Sequence, residues 1–430
     1  MGRKKIFWLV VICLLLAHFF IRTVLISARY FASVEVFHWD MDFWYSAGSL
    51  WLEDQSPYDN IIFGQRMAEL RVEETAASNY PFSYPPQMLT LFSLFSLVPV
   101  KTVVWVWFIA NLALIFLLLF IIWKVFSRYR PIGLPEAAFL IAMIGTGIRT
   151  NLKYSQLGLL IGIAVMAMFW YSERKKPAAA GIALGFAAFK PTSAPIYFIY
   201  YLLKKNWRLL ISAGLVLLVF GLLPFLFSDQ PLLPTYMEFL SGGNEQMVSV
   251  DDDSPFDPWS ATQYQLSILL LRIFNSDAGW AHILSWVGVL AMLSLVFWVT
   301  FKGKPVPYPA LYEFAILSVA TMMYIYHRSY EVFFLFPVLI YLYLLADRLK
   351  MPRWRFWGLL VVWGLLLVDY LPGDLSLRVL DYLPDLADKY LFRVIAPVPA
   401  WLSVILLISL LLFRWWGDER LEKWIAPLPE

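Results

Sequence analysis

Cysteine and charge are what this sequence has least of. Its 430 residues include one cysteine, Cys13, which excludes an internal disulfide and a cysteine metal cluster. Only 15% of the residues are charged, whereas 60% are hydrophobic and the mean hydropathy is +0.66. That balance lies outside the range of soluble domains. The net charge of +3 is small and spread along the chain, so we expect no nucleic-acid partner. The composition predicts a polytopic protein embedded in the lipid bilayer.

Several catalytic motifs are also absent. The sequence contains no GxxxxGKS/T, HExxH, GxSxG or GxGxxG pattern, so no motif supports nucleotide hydrolysis, zinc proteolysis or serine hydrolysis. With four histidines and one cysteine, we expect no metal site and no cofactor.

Apolar runs predict an all-α protein with about 10 to 13 transmembrane helices. The first run follows the basic residues Arg3, Lys4 and Lys5 and reaches roughly 20 residues, the length of one crossing. It ends without the small-x-small site of a cleaved signal, so we expect it to be retained as the first crossing. Several other runs are shorter than a full crossing, which predicts broken helices. The further candidate crossings are 101–126, 134–148, 156–171, 178–189, 191–203, 207–227, 280–301, 310–326, 332–347, 356–371 and 396–414.

The basic residues predict an orientation for a single integral membrane domain, 1–430. If the N-terminus is cytoplasmic, the short basic connections also lie in the cytoplasm and most acidic residues lie on the opposite side, as the positive-inside rule requires. Both termini are then cytoplasmic. The long segments 28–100, 228–279 and 372–395 lie on the extracytoplasmic side. We expect amphipathic helices in 28–100 and a flexible loop or lid in 228–279, which is rich in Gly, Ser, Asp and Pro.

Four polar groups of residues interrupt or adjoin the apolar runs. Ionisable residues at such positions are costly, which makes each of them a candidate functional site. The four groups are Asp40 and Asp42 in FHWDMDFWYSAG, Arg149 and Lys153 in GIRTNLKYSQLG, Lys190 in GFAAFKPTSAP, and His327, Arg328 and Glu331 in YHRSYE.

Each group also has a purely structural interpretation. The two aspartates could belong to a solvated loop. Lys190 could extend its ammonium to the interface, although Lys-Pro within a run of small residues favours a broken helix at a binding site. Arg328 and Glu331 are three apart and could form an intrahelical ion pair. Arg149 and Lys153 are four apart, and two like charges at this spacing repel unless they share an anion. Several cations beside a carboxylate therefore indicate a lipid phosphate and a general base.

The order of the motifs along residues 1–350 is more specific than any one motif. The series is DMDFWYSAG with SPYDN, then SYPPQM before an apolar segment, SQLGLLIG at the start of a crossing, AAAGIALGFAAFKPTSAP before the basic LLKKNWR, and YHRSYEVFFLFP. This series resembles glycosyltransferase family 87, membrane mannosyltransferases of the C-type glycosyltransferase superfamily. One departure is QYQLS, which stands where the family usually carries an Asn-Gln-Ser-Leu type element and leaves the acceptor contacts of that loop open.

The resemblance implies a plasma-membrane glycosyltransferase of the C-type fold with an extracytoplasmic active site. The implied reaction transfers a hexose, mannose by default, from a polyprenyl-phosphate sugar to a glycolipid or glycan acceptor, with inversion. Asp40 is the implied base because its spacing to Ala47 and Gly48 fits the family motif better, and Asp42 is the second choice. The implied contacts to the donor phosphate are Lys190, Arg328, His327, Arg149 and Lys153.

A further set of residues is expected to contact the sugar or the acceptor. The aromatic residues among them could instead form a belt at the membrane interface. The set comprises Trp39, Trp44, Tyr45, Tyr84, Gln156, Tyr330 and Glu331.

A transporter or flippase of lipid-linked sugars is the competing class, because broken helices and buried charges also mark transporter sites. The sequence has no two related halves, and its charges gather at one face rather than at the midplane, which favours the enzyme. A ligase that uses a preassembled lipid-linked glycan would share the donor chemistry. Residues 350–430 carry no motif that indicates a function.

Overall fold

A computed structural model describes residues 3–25, 28, 39–70, 82–144, 148–153, 155–249, 263–325, 327, 329–348 and 398–416. The described residues form helices and contain no strand, which confirms the predicted all-α class. The α-helices are α1 (Arg3–Phe19), α2 (Trp39–Leu52), α3 (Asn60–Leu70), α4 (Leu89–Ser96), α5 (Val100–Ser127), α6 (Leu134–Ile144), α7 (Ile148–Lys153), α8 (Gly158–Glu173), α9 (Pro177–Ala187), α10 (Pro195–Leu203), α11 (Trp207–Leu222), α12 (Leu232–Ser249), α13 (Leu266–Phe274), α14 (Gly279–Lys302), α15 (Pro309–Tyr324), α16 (Phe336–Arg348) and α17 (Val398–Trp416).

Three helices in the described part of the chain are long and apolar enough to cross a bilayer: Val100–Ser127, Trp207–Leu226 and Gly279–Lys302. They coincide with the predicted crossings 101–126, 207–227 and 280–301, and they confirm the membrane class. Large apolar side chains on their surfaces are exposed, as a lipid-facing helix requires. Four shorter apolar helices coincide with other predicted crossings. The total number of crossings stays a prediction. The predicted crossing 356–371 lies outside the described residues. The shorter helices are Lys5–Phe19, Gly158–Glu173, Pro177–Ala187 and Ala400–Arg414.

The chain divides into two compact units, one of residues 1–124 with 133–252 and one of residues 125–132 with 253–430. In the first unit, α9 packs against α8 and α11. A Cβ added to Gly181 of α9 would lie 2.1 Å from the carbonyl oxygen of Leu209 in α11. The missing side chain therefore permits the two helix backbones to touch.

The second unit is built around α15, which packs against α14, α16 and α17. The Tyr312 hydroxyl donates a 2.7 Å hydrogen bond to the Leu410 carbonyl. Arg414 of α17 is buried, donates from Nη2 to the Thr300 carbonyl at 3.0 Å, and places its guanidinium carbon 5.1 Å from the Tyr312 ring centre. The cation thus satisfies a carbonyl at the C-terminal end of α14, where a helix favours positive charge.

Helices α2 to α4 occupy part of the segment 28–100, and α12 occupies part of the segment 228–279. Hydrogen bonds connect the start of 228–279 to the turn after α2 within the first unit. The Asp54 carboxylate accepts from the Ser228 hydroxyl at 3.0 Å, and the Ser56 hydroxyl donates to the Glu238 carboxylate at 2.6 Å. Just before this segment, the Pro224 carbonyl accepts from the Trp51 indole at 3.0 Å. The chain from Pro224 to Glu238 is therefore anchored to α2 and to the turn after it.

Candidate functional site

Asp40 lies in the first turn of α2 and is half-buried. Its Oδ2 accepts a hydrogen bond from the side-chain amide of Gln156. Asp42, in the same turn, is more deeply buried at 8% exposure. A helix N-terminus favours negative charge, so both carboxylates stand where the backbone stabilises their ionised forms. Of the two, Asp40 combines partial solvent access with a defined orientation, which are the properties that a general base requires.

The position of Gln156 is set by the turn between α7 and α8. Ser155 adopts a left-handed backbone conformation with φ of 56°, and the backbone N–H of Gln156 donates to the Asn151 carbonyl at 2.9 Å. The Asn151 side chain accepts from the Leu159 amide at 3.1 Å, which satisfies a donor of the first turn of α8. The turn therefore holds the side-chain amide of Gln156 against Asp40.

An aromatic cluster supports this arrangement. Trp44 is fully buried and stacks on Phe92, with 5.4 Å between ring centres and 7° between planes. Tyr84 and Trp107 meet the Trp44 ring edge-on, at 6.1 and 5.6 Å between centres. The Trp107 indole donates to the Ser155 carbonyl at 2.9 Å, so the cluster links α2 to the Gln156 turn. Full burial gives Trp44 a packing role, whereas Tyr84 beside it is half-buried, and the contact of either ring with a sugar stays a prediction.

Lys190 lies at a helix break, as the sequence predicted. Helix α9 ends at Ala187, Lys190 has an extended backbone with φ of −102° and ψ of 104°, and a short 3₁₀ turn, Pro191–Ser193, precedes α10. The proline causes the break because it lacks an N–H and disfavours helix geometry in the residue before it. Lys190 is half-buried there. A cation at a broken helix is an arrangement that binds anionic ligands in membrane proteins.

His327 and Glu331 form a buried pair in the second unit. His327 Nδ1 lies 2.8 Å from Glu331 Oε2, and the residues are 0% and 1% exposed. The Tyr264 amide donates to the His327 carbonyl at 3.1 Å, which fixes the QYQLS segment beside the pair. The four-residue spacing of His327 and Glu331 was a readable signal for this pair. The sequence alone predicts Glu331 as a partner of Arg328 or as a contact to the substrate.

Of the remaining predicted site residues, Tyr45 has a described side chain and five others do not. Tyr45 is half-buried in α2, and its carbonyl accepts from the Ser96 hydroxyl at 2.8 Å. Among the described residues, no group of three or more His, Cys, Asp or Glu could hold a metal. Arg328 is not described at all, and only the backbone is described for Trp39, Arg149, Lys153 and Tyr330.

Among the described residues near the predicted site, sequence reasoning missed the buried side-chain amides of Asn151, Gln263 and Gln265, exposed by 0%, 2% and 5%. Asn151 shapes the turn that carries Gln156, and the two glutamines flank Tyr264. In the sequence they look like ordinary polar residues beside apolar runs, because a single sequence does not report burial. The departure at QYQLS was the one signal that pointed to the glutamines.

The model of one protein family, glycosyltransferase family 87, matches residues 82–325. This stretch is more than half of the chain and contains Gln156 and Lys190, but neither Asp40 nor His327. Comparison with curated proteins and with solved structures gives no significant match.

Proposed function

The chain belongs to glycosyltransferase family 87, and from that membership we propose the reaction that it catalyses. As a family member it is a membrane glycosyltransferase. Its donor is a polyprenyl-phosphate sugar, and the transferred group is a hexose, with mannose as the first choice. The acceptor is a glycolipid or a glycan at the extracytoplasmic face of the plasma membrane.

One observation carries this proposal: Asp40 presents an oriented, half-buried carboxylate at the start of a helix. The Gln156 side-chain amide donates to its Oδ2, which orients the carboxylate. Asp42 is the weaker candidate because burial at 8% exposure limits its access to a substrate. A general base needs to come within hydrogen-bond distance of the proton that it takes, so access is the deciding property.

The chemistry is a single displacement. The acceptor hydroxyl loses its proton to Asp40 while its oxygen forms a bond to the anomeric carbon of the donor sugar. The bond between that carbon and the phosphate oxygen breaks, and its electron pair leaves with the polyprenyl phosphate. One base on the face opposite the leaving group inverts the anomeric configuration.

The leaving phosphate gains negative charge, which cations stabilise without a proton transfer. Lys190 at the helix break is the best supported of these cations, because its position is described and lies within the family match. Arg149 and Lys153 of the same unit complete the proposed phosphate site on sequence grounds, and the contact expected of Arg328 stays a prediction from the sequence.

The test uses purified protein in lipid nanodiscs with radiolabelled polyprenyl-phosphate mannose and a glycolipid extract as acceptor. Asp40→Asn should lower the turnover number by at least about 100-fold, the usual contribution of a general base. Asp229→Asn is the matched control, because Asp229 is an exposed carboxylate of the same unit, and it should keep full activity. Near-normal turnover of Asp40→Asn with inactive Asp42→Asn would transfer the role of base to Asp42. Normal turnover of both variants would contradict a carboxylate base in this motif.

A further inference from the structure

Four polar residues of the second unit form a buried group that the proposed mechanism does not use. We call Gln263, Gln265, His327 and Glu331 the glutamine–histidine cluster. They are exposed by 2%, 5%, 0% and 1%. The backbone hydrogen bond from Tyr264 to the His327 carbonyl holds their two segments together. Such complete burial of four polar side chains requires compensating hydrogen bonds.

Several of those hydrogen bonds are missing within the part of the chain that the structure describes. The side-chain oxygens of Gln263 and Gln265 and the Nε2 atom of His327 have no hydrogen-bond partner there. The Gln265 amide nitrogen does have one, because it lies 2.5 Å from the Ser267 hydroxyl. A buried polar atom without a partner costs about 1 to 3 kcal/mol. Three such atoms in neighbouring segments indicate a site that is completed by a ligand.

The His327 ring is held in one orientation. Its Nδ1 meets the Glu331 carboxyl, and the rings of Tyr324 and Phe334 lie 6.3 and 5.7 Å from it between centres. The tautomer decides which ring nitrogen carries the hydrogen, so Nε2 is a donor or an acceptor that has no partner in the described part of the chain.

The missing partners specify the chemistry of the ligand. The cluster offers His327 Nε2, which donates or accepts according to the tautomer, and the two glutamine oxygens, which accept. If either glutamine side-chain amide is flipped by 180°, so that its oxygen and nitrogen exchange places, the atom without a partner is a donor instead of an acceptor. Hydroxyl groups both donate and accept, so they satisfy either arrangement. A phosphate only accepts, and it would face a carboxylate without Lys or Arg among the four members.

We propose that the glutamine–histidine cluster binds ring hydroxyls of a sugar substrate and that Glu331 is the positioning residue for His327. The identification of the ligand as a substrate rests on the proposed function. In this proposal His327 contacts a sugar hydroxyl instead of the donor phosphate that the sequence predicts for it. Gln263 and Gln265 then contribute to the choice of sugar, because a buried hydrogen-bonding group discriminates strongly against a substrate that leaves it unpaired.

The binding test titrates the full-length protein in nanodiscs with the methyl glycosides of mannose, glucose and galactose, followed by saturation-transfer NMR. Inorganic phosphate is titrated in parallel. Gln263→Ala and Gln265→Ala should each weaken the Kd of the bound glycoside about tenfold, the effect of one lost buried hydrogen bond. Phosphate binding should be unchanged.

The positioning role of Glu331 has its own readout. With only four histidines in the chain, the ring nitrogens of His327 can be followed in ¹⁵N-histidine-labelled protein. Glu331→Gln should shift both ring signals of His327 and weaken glycoside binding. The matched control is Asp277→Asn, since Asp277 pairs with His282 at 2.7 Å but both are exposed. That variant should leave glycoside binding unchanged.

The outcomes separate this inference from the proposed function. Glycoside binding that depends on the glutamines in a protein without transferase activity would support the cluster and reject the transfer reaction. Active transfer with unaltered KM and unaltered glycoside binding in Gln263→Ala, Gln265→Ala and Glu331→Gln would reject the cluster alone. Absence of glycoside binding to the wild type, or loss of phosphate binding in the glutamine variants, would also overturn it.

Discussion

Gln156 is the residue for which the structure adds most to the sequence. The sequence predicts a contact with the substrate, which stays a prediction, and the structure adds that the side-chain amide donates to Asp40 across a separation of 116 residues. No local pattern reports such a contact, because it arises from the packing of α2 against the turn before α8. The SQLG motif itself was readable, but the partner of its glutamine was not.

Gln156→Ala should therefore reduce the turnover number rather than the affinity. Without the amide, the Asp40 carboxylate loses the group that orients it, and the loss of one hydrogen bond to a charged group corresponds to roughly a tenfold decrease or more. Gln230→Ala, which removes a half-buried glutamine whose side-chain amide donates to the Asp54 carbonyl, is the control and should be neutral. The measurement is steady-state kinetics with the polyprenyl-phosphate sugar. A raised KM with an unchanged turnover number would identify Gln156 as a substrate contact instead.

Helix breaks could be predicted where one residue determines the backbone. The Lys-Pro break is confirmed because proline acts locally. The composition of 228–279 was less informative, since it predicted a flexible loop and α12 covers Leu232–Ser249. The adjacent glycines Gly242 and Gly243 suggested a loop, yet they lie inside this helix. Glycine lowers helix propensity by only about 1 kcal/mol, which packing elsewhere can outweigh.

Close contact between α9 and α11 gives a prediction at the scale of helices. Gly181→Ala places a methyl group against the Leu209 carbonyl oxygen, so the helices must separate, at a cost of about 1 to 3 kcal/mol in the free energy of unfolding. Gly214→Ala is the matched control on α11, because its added Cβ meets nothing within 4 Å. Thermal unfolding in detergent should show a lower Tm for Gly181→Ala and an unchanged or higher Tm for Gly214→Ala. Equal Tm values for the two variants would contradict the close packing.

The number of crossings is the property of the whole molecule that the sequence left most open. Hydropathy located the apolar helices, including the three long enough to cross a bilayer. It does not distinguish a short crossing from a helix buried inside protein, because both are apolar on all sides. Helix α8 illustrates the difficulty, since it has 16 residues and most of them are buried.

The predicted orientation can be tested by labelling single cysteines. In a Cys13→Ser background, Gln55→Cys and Lys176→Cys introduce thiols at exposed positions of the first unit. The distribution of basic residues places position 55 outside and position 176 in the cytoplasm. A membrane-impermeant maleimide should label position 55 in sealed cells and position 176 only after permeabilisation. The opposite pattern would reverse the topology and move Asp40 to the cytoplasmic side.

The most direct test of the central claim is whether a new glycosidic bond forms. Proteoliposomes containing the purified protein are given polyprenyl-phosphate mannose labelled in the sugar, with a glycolipid extract as acceptor, and the products are separated and analysed by NMR. The account predicts labelled sugar in a new glycosidic linkage with inverted anomeric configuration, and none with Asp40→Asn. Movement of the labelled lipid across the bilayer without a new bond would contradict it and identify a flippase.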